Sequence, residues 1–291
     1  MPRPSSHKTM IKRFACATLT IVCICVVLFS CTAERMSENA LCRVYFLDVG
    51  QGDSTLIRTR EGDILIDAGP EEAQDALCLR LRQLGVKELA LAVFTHPDED
   101  HVGGADGIFE QISVKEVWLP VREMDNPSAA RMEKAIEDCG AKRKNVRAGE
   151  SFTVGDVVVS TLAPLGEATN DPNDNSIVLR ITCGEIGMLF MGDASIKVEQ
   201  KLMENYAQGH LSAELYKVGH HGSSTSNGEA FLEVVNPTYA VICSSIDNSY
   251  GHPHGVVIER LQAVGATVLM TATDGEVVLE CNKSAIWHVE K

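Results

Sequence analysis

The chain has 291 residues, 45% of them hydrophobic and only 5% aromatic, ample for one large core or two modest domains. Its formal net charge of -14 weighs against a module that binds nucleic acid tightly by long-range attraction. A nuclease is not excluded, because bound divalent cations neutralise such a site locally.

The first 31 residues stand apart. Arg3, Lys8, Lys12 and Arg13 precede an uncharged apolar run, "FACATLTIVCICVVLFS" (14–30), and Cys31 follows. A basic start, an apolar centre and a small residue at Ser30 read as an export signal. The run is also near the lower limit for an uncleaved membrane anchor. "LFSC" (28–31) resembles the bacterial lipobox, which would make Cys31 a lipidated N-terminus. The body is therefore expected outside the cytoplasm, as a lipoprotein, on an uncleaved anchor, or secreted. Residues 32–41 read as a tether and 42–291 as one domain, with no solenoid repeat.

Within that body, strand-like runs recur at 43–49, 54–59, 63–69, 89–96, 157–164, 176–183, 187–193 and 239–246. Helical patterns fall at 71–84, 129–139, 196–207, 228–235 and 255–263. Early strands joined by glycine turns and later strands alternating with helices predict mixed sheets covered by helices, an α/β architecture. The six body cysteines, Cys42, Cys78, Cys139, Cys183, Cys243 and Cys281, are scattered and form no CxxC pair. Buried free thiols are the plain reading, and one or two bridges the alternative for an exported protein.

Asp48, Asp67, His96, Asp193 and His220 each end or directly follow an apolar strand. Strand ends at one edge of a sheet bring distant parts of a chain into one site, and a packed core alone has no need of a charge or imidazole there. "HPDEDH" (96–101) offers two imidazoles and two ligand-spaced carboxylates, a set suited to Zn2+, Mn2+ or Fe2+ rather than Ca2+. In a loop, His96, Asp98, Asp100 and His101 can converge on one point, with Gly103 and Gly104 letting the chain turn tightly afterwards. Alone, the hexapeptide could be a solvated acidic turn. Two further clusters, "MGD" (191–193) and "KVGHHGSSTSN" (217–227), make a metal site the better reading. "DVGQGDS" (48–54) lacks the Gly-Lys-Ser/Thr ending of a phosphate-binding P-loop and reads as a tight hairpin.

The ordered set "FLDVGQGDSTLI", "ILIDAG", "THPDEDHVGG", "NDNSIVLRI", "LFMGD", "KVGHHGSS" and "YGHPH" resembles the metallo-β-lactamase superfamily, and within it the extracytoplasmic hydrolase domain of the ComEC competence proteins. The resemblance implies a four-layered αββα sandwich holding one or two divalent ions, zinc or manganese, at one edge of its two sheets. It places His96, Asp98, Asp100 and His101 on the His-x-His-x-Asp-His motif, and Asp193 on the carboxylate that bridges two metals. His220 or His221 matches the last ligand, with His220, first after the strand, expected to complete the second position. Asp98 stands where the motif's second histidine usually is, and no histidine lies between His101 and Asp193, so the first position looks one ligand short.

Further roles implied are orientation of the nucleophile by Asp100, and support behind the ligands from Asp48, Asp67 and Asn175. Gln51 and Asp53 are expected at the rim of the site, and Ser223 and Ser224 as hydroxyls facing a substrate oxyanion. His252 is expected to donate a proton to the leaving oxygen or to contact a phosphate. Together with the N-terminal segment these imply a membrane-tethered, metal-dependent phosphodiesterase acting on DNA, either as an accessory nuclease beside a competence machinery or in nutrient scavenging. The alternatives are a small-ester, phosphorylcholine-ester or lactam hydrolase, and a metal-poor accessory binding protein in DNA uptake.

Overall fold

Residues 36–121 and 126–290 are described in a computed structural model. The expected export segment, Cys31 and the first residues of the tether lie outside them. No helix among the described residues is long and apolar enough to cross a membrane.

The chain first lays down β1 (Cys42–Phe46), β2 (Thr55–Thr59), β3 (Asp63–Ile66), β4 (Glu88–Val93), β5 (Ser113–Val114), β6 (Glu116–Pro120) and β7 (Lys142–Val146). It then builds a second sheet from β8 (Ser151–Val154), β9 (Val157–Ala163), β10 (Val178–Cys183), β11 (Ile186–Phe190), β12 (Leu215–Lys217), β13 (Tyr239–Ile242) and β14 (Thr267–Met270). Finally β15 (Val277–Cys281) and β16 (Ile286–His288) return to the first. The sheet orders are β16-β15-β1-β2-β3-β4-β6-β7, with β5 beside β4, and β14-β13-β12-β11-β10-β9-β8.

Strand alternation explains how the sheets stack. In β1, Cys42, Val44 and Phe46 face the core between the sheets, while Tyr45 faces the outer helices. In β3, Ile64 and Ile66 point inward and Leu65 outward. Both faces are covered, so these strands are buried along nearly their whole length and read as mainly hydrophobic runs, with Arg43 of β1 tolerated by its pairing to Glu280. Helices α1 (Gln74–Gln83), α2 (Glu99–Val102), α3 (Ala105–Gln111) and α4 (Pro127–Cys139) follow strands of the first sheet. Leu77 and Leu81, Ile108, Met132 and Ile136 cover its outer face. On the second sheet lie α5 (Ile196–Asn205), α6 (Gln208–Leu211), α7 (Glu229–Val235), α8 (Gly255–Ala263) and α9 (Thr271–Asp274). Val198, Leu202, Phe231, Leu232 and Leu261 provide that layer's core. The predicted α/β architecture is thus present, as two mixed sheets between helices.

Every strand and helix region expected from pattern is occupied by an element of the right kind. Several strands carried no such signal. β7, "KRKNV", is largely exposed and charged because it closes the edge of its sheet, where charge blocks further pairing.

Candidate metal centre

The ends of β3, β4, β11 and β12, with the turn after β1, meet at one edge of the two sheets. Thr95 and His96 follow β4, Asp67 follows β3, Asp193 follows β11, and His220 and His221 follow β12. After Pro97 the chain forms α2, a single helical turn rather than an open loop, with Asp98 as its N-cap residue. That turn swings Asp100 and His101 towards Asp193. The two glycines after it serve close approach, not a tight bend. A Cβ on Gly103 would lie 2.4 Å from the Glu71 backbone nitrogen, and one on Gly104 2.5 Å from the Ala68 oxygen.

The imidazoles are held in defined tautomers. Asp67 accepts from the Thr95 N–H and from the Thr95 hydroxyl, each at 2.8 Å, and its Oδ2 lies 2.9 Å from His101 Nδ1. A carboxylate can only accept, so His101 carries its proton on Nδ1 and leaves Nε2 with a lone pair. His221 Nδ1 likewise donates to the Cys243 carbonyl at 2.9 Å. The Thr95 hydroxyl proton goes to Asp67, so its oxygen can accept from His96 Nδ1, 3.2 Å away. Three Nε2 lone pairs therefore point into one space.

Those atoms converge on carboxylates. His96, His101, His220 and His221 present Nε2 at 3.7, 3.3, 3.6 and 3.6 Å from Asp193 oxygens. His221 Nε2 is also 3.1 Å from Asp100 Oδ2, and His96 Nε2 3.7 Å from Asp98 Oδ2. His101 Nε2 and His221 Nε2 are only 3.3 Å apart. Two lone pairs at that distance repel unless a proton or a cation sits between them. His96 Nε2 and Asp193 Oδ1 are buried without any hydrogen-bond partner, a costly state for polar atoms unless they serve as ligands. Ligand atoms about 2.0–2.2 Å from one ion stand roughly 3–3.5 Å from one another, close to the spacings found. The donor set fits a divalent cation.

Charge explains the same preference. Burial and the neighbouring His101 push His96 down to about 3, keeping it neutral. Burial works against protonating His221, yet Asp193 and Asp53 push it up to about 10. Burial is likewise overcome at Asp193, which His101, His221 and His96 hold well below the usual carboxylate range. The cluster thus draws protons onto His101 and His221 to offset its carboxylates, and a bound cation would compete with those protons.

The metallo-beta-lactamase superfamily model matches residues 47–245, the segment that contains this whole cluster. The chain belongs to that superfamily. Its members are generally metal-dependent hydrolases that bind divalent metals. The chain is 29% identical over 252 residues to ComE operon protein 3 of Bacillus subtilis, covering 80% of this chain and 32% of that protein. It is 32% identical over 243 residues to competence protein ComA of Neisseria gonorrhoeae, covering 83% and 32%. The resemblance to ComEC-type proteins is therefore borne out, and the chain spans about a third of the length of these relatives. Among solved structures, the diiron β-hydroxylase CmlA of Streptomyces venezuelae shares the fold at TM-score 0.57 and 16% identity, over 85% of this chain and 55% of that one. The metallo-beta-lactamase fold protein YhfI of Bacillus subtilis does so at 0.53 and 10%, over 85% and 100%.

Against the superfamily pattern the paired histidines divide. His221, not His220, faces Asp100 and His101. His220 Nε2 lies 3.6 Å from Asp193 Oδ2, the oxygen that His96 Nε2 also faces at 3.7 Å. The loop that separates them is unusual: His220 and His221 both adopt left-handed backbone conformations, with φ of 51° each, a strained state that recurs at functional sites. Asn227 laces this loop from behind, accepting from Gly219 N and donating to the Gly219 and Ser223 carbonyls. Neither the strain nor Asn227 was visible in the sequence, where "TSNG" reads as an ordinary turn.

Other expected site residues sort differently. Asp53 is not at the rim: it is 4% exposed, and Lys217 Nζ lies 2.7 Å from its Oδ2. Its Oδ1 is 3.3 Å from His221 Nδ1, so it stands behind the imidazoles, out of a substrate's reach. Lys217 escaped the sequence reading, although a lysine ending an apolar strand was the available signal. Asp48 does not support a ligand; it is exposed and accepts from Gly50 N in its own turn. Asn175 is buried but ties Thr169 and Asp171 together, and its neighbour Ser176 accepts from Asp193 N instead. Ser223 is buried with its hydroxyl against Thr225, whereas Ser224 is exposed. Gln51 does line the cleft, its Oε1 accepting from Ser245 N and its Nε2 unpartnered. His252 stacks 6.4 Å from His221 with Nδ1 unpartnered, and burial together with His220 pushes it down to about 4. At neutral pH it is uncharged, so it suits a hydrogen bond to an oxyanion better than proton donation to a leaving group.

Proposed function

We propose that this chain is an exported, membrane-tethered, metal-dependent phosphodiesterase that cleaves DNA, serving DNA uptake beside a competence machinery. The observation that carries the hydrolase reading is the convergence of ligands on Asp193. Asp100, His101 and His221 gather as one ligand group and His96 and His101 with Asp193 as another, and all four imidazoles, His220 included, lie within 3.7 Å of that carboxylate. In this reading His220 would supply the imidazole that the first position lacks in sequence. A divalent ion bound there would lower the pKa of water towards neutrality and stabilise charge on a phosphoryl oxygen.

The chain's own residues supply the rest. Asp67 and the Cys243 carbonyl keep two imidazoles turned with Nε2 outward. Asp100, part-exposed and lining the cleft, accepts a proton from the attacking water and orients it. Neutral His252 and the Gln51 amide donate hydrogen bonds to non-bridging oxygens. DNA as substrate is supported by the ComEC-type relatives, and export and tethering by the pattern of residues 1–31.

A second reading has its own support. The cleft beside the site, about 680 Å³, is lined by Glu71, Glu72, Asp98, Glu99 and Asp100, with Arg131 as its one cation among the described residues. Arg131 is already paired with Glu71 at 2.7 Å. Such walls favour a substrate with a cationic group, as in a phosphorylcholine ester. The binding-protein reading would be favoured by failure of the purified chain to retain metal.

The test is the detergent-solubilised full chain beside Asp100→Ala, assayed on plasmid and linear DNA with Mn2+, Zn2+ or chelator. Metal-dependent cleavage lost in the variant supports the proposal. Metal retention with hydrolysis of a phosphorylcholine diester but not DNA replaces it with the second reading. Metal content after His220→Ala and His221→Ala tests the division of the paired histidines, each variant losing a different ion.

A further inference from the structure

Three cysteines unused by the metal centre meet at the other end of the inter-sheet core. Cys42 opens β1 and Cys281 closes β15, directly opposite each other in an antiparallel ladder. Cys183 closes β10 in the facing sheet. β1 runs from Cys42 towards the turn that holds Asp53, and β10 runs away from Ser176, so the trio lies at the strand ends remote from the metal ligands. All three are buried, in the same apolar cluster as Val44, Ile186 and Leu279. Cys42 Sγ and Cys281 Sγ are 3.1 Å apart, and all three sulfurs lie within 4.8 Å of one another.

We propose that Cys42 and Cys281 form a disulfide, with Cys183 as a third thiol able to take the place of either. Opposed residues in an antiparallel ladder have Cα atoms about 4.5 or 5.5 Å apart, inside the range a disulfide spans. The sulfurs need close only by about 1 Å to reach the bonded length of about 2.05 Å. A shared metal ion fits less well. Thiolates about 2.3 Å from one ion sit roughly 3.7–4.0 Å apart, wider than the Cys42–Cys281 spacing. Among the described residues no histidine or carboxylate joins the group. Three thiolates on a divalent ion would also leave net negative charge in an apolar core, whereas a disulfide is neutral.

The step balances with a disulfide oxidant of the exporting compartment. One cysteine thiolate attacks the oxidant, forming a mixed disulfide. The second attacks that cysteine's sulfur and releases the oxidant as a dithiol, which keeps both electrons and both protons. The bond joins positions 239 residues apart, tying the first strand of the body to its penultimate one. A loop of that length implies a large stabilisation, a fall of roughly 10 °C in thermal midpoint on reduction. Formation in the cell rests on the export reading, so the chemistry is tested in vitro, where the two can fail separately.

The full chain is refolded in a glutathione redox buffer, alkylated under denaturing conditions and digested with trypsin. Cys42, Cys183 and Cys281 then fall on separate peptides, 36–43, 181–197 and 261–283. The expected result is 36–43 linked to 261–283, with Cys183 alkylated, and the same link in Cys183→Ser. In Cys281→Ser the link moves to 36–43 with 181–197; its failure to form removes the role of Cys183. Absence of any link in the unsubstituted chain overturns the proposal. So does retention of added Zn2+ or Cd2+ by the trio in place of a bond, detected as metal lost on Cys183→Ser.

Discussion

Lys217 is the clearest place to test how the metal ligands are supported from behind. It is 2% exposed, 2.7 Å from Asp53 and within 2.9 Å of the Val218 carbonyl, which its ammonium also serves. Asp53 is held below the usual carboxylate range because Lys217 and His221 outweigh its burial. Lys217→Met removes the main counter-charge and keeps the volume, leaving a buried carboxylate that shares only the imidazoles. Breaking one half of a buried pair costs about 3–5 kcal/mol. At about 2–4 °C per kcal/mol for a domain of this size, the thermal midpoint should fall by roughly 10 °C or more. The assay is thermal and urea unfolding with chelator present, so that metal affinity does not enter. Asp53→Asn/Lys217→Met should then be less unstable than the two single effects summed, by about 2 kcal/mol. Additive effects, or a midpoint within 2 °C of the parent for Lys217→Met, would refute the pairing as a support.

Three further outcomes follow from named contacts. Asp67 has φ of 59°, which asparagine tolerates, so Asp67→Asn should keep the turn yet weaken metal affinity about 10–100-fold through His101; chelator competition showing unchanged affinity would contradict it. Gly103→Ala should destabilise by about 1–3 kcal/mol through overpacking against the Glu71 backbone, read as a lower urea midpoint. Glu199, buried under the Asn227 loop, accepts from Asn227 N and Gly228 N, yet burial pushes it up to about 7 from 4.5. A folded value above the unfolded one means stability present in full below about pH 4.5 and lost as pH rises through 7, about 3 kcal/mol in all. Glu199→Gln should shrink the pH 5 to pH 8 difference in unfolding free energy by most of that amount, whatever its effect at either pH alone.

The large features of this site were legible because each ligand ends an apolar run, and strand ends are where a layered α/β fold gathers side chains. His96, His101 and Asp193 needed only their position after β4 and β11. His220 and His221 could not be separated that way. Their order along the chain says that His220 leaves the strand first, but two consecutive left-handed residues reverse which ring turns inward, and nothing in "GHHG" announces that conformation. Asp53 was misplaced for a related reason. In sequence it sits in a glycine-rich turn and reads as exposed, and only the partner 164 positions later, Lys217, explains a buried charge there. β7 was invisible because an exposed edge strand needs no apolar face. The cysteine trio was hidden by spacing, since the pairing of β1 with β15 and the packing of β10 across them are set by topology alone.

Salt dependence separates the two substrate readings, because the protein's charge works against one and for the other. At a formal charge of -14, with acidic walls beside the metal centre, approach of a polyanion is repelled. The Debye length is about 30 Å at 0.01 M and about 10 Å at 0.1 M ionic strength. Over that range the repulsion is progressively screened, so kcat/KM on DNA should rise with added salt, opposite to the usual fall for proteins that bind nucleic acid through lysine and arginine. A choline-type substrate is attracted by the same walls, and its kcat/KM should fall. The metal site enters both assays equally, provided it stays saturated, so the sign of the slope reports on the approach alone. A fall on DNA would mean that a cationic path reaches the centre in spite of the net charge, and the acidic cleft would then lie off the route the substrate takes.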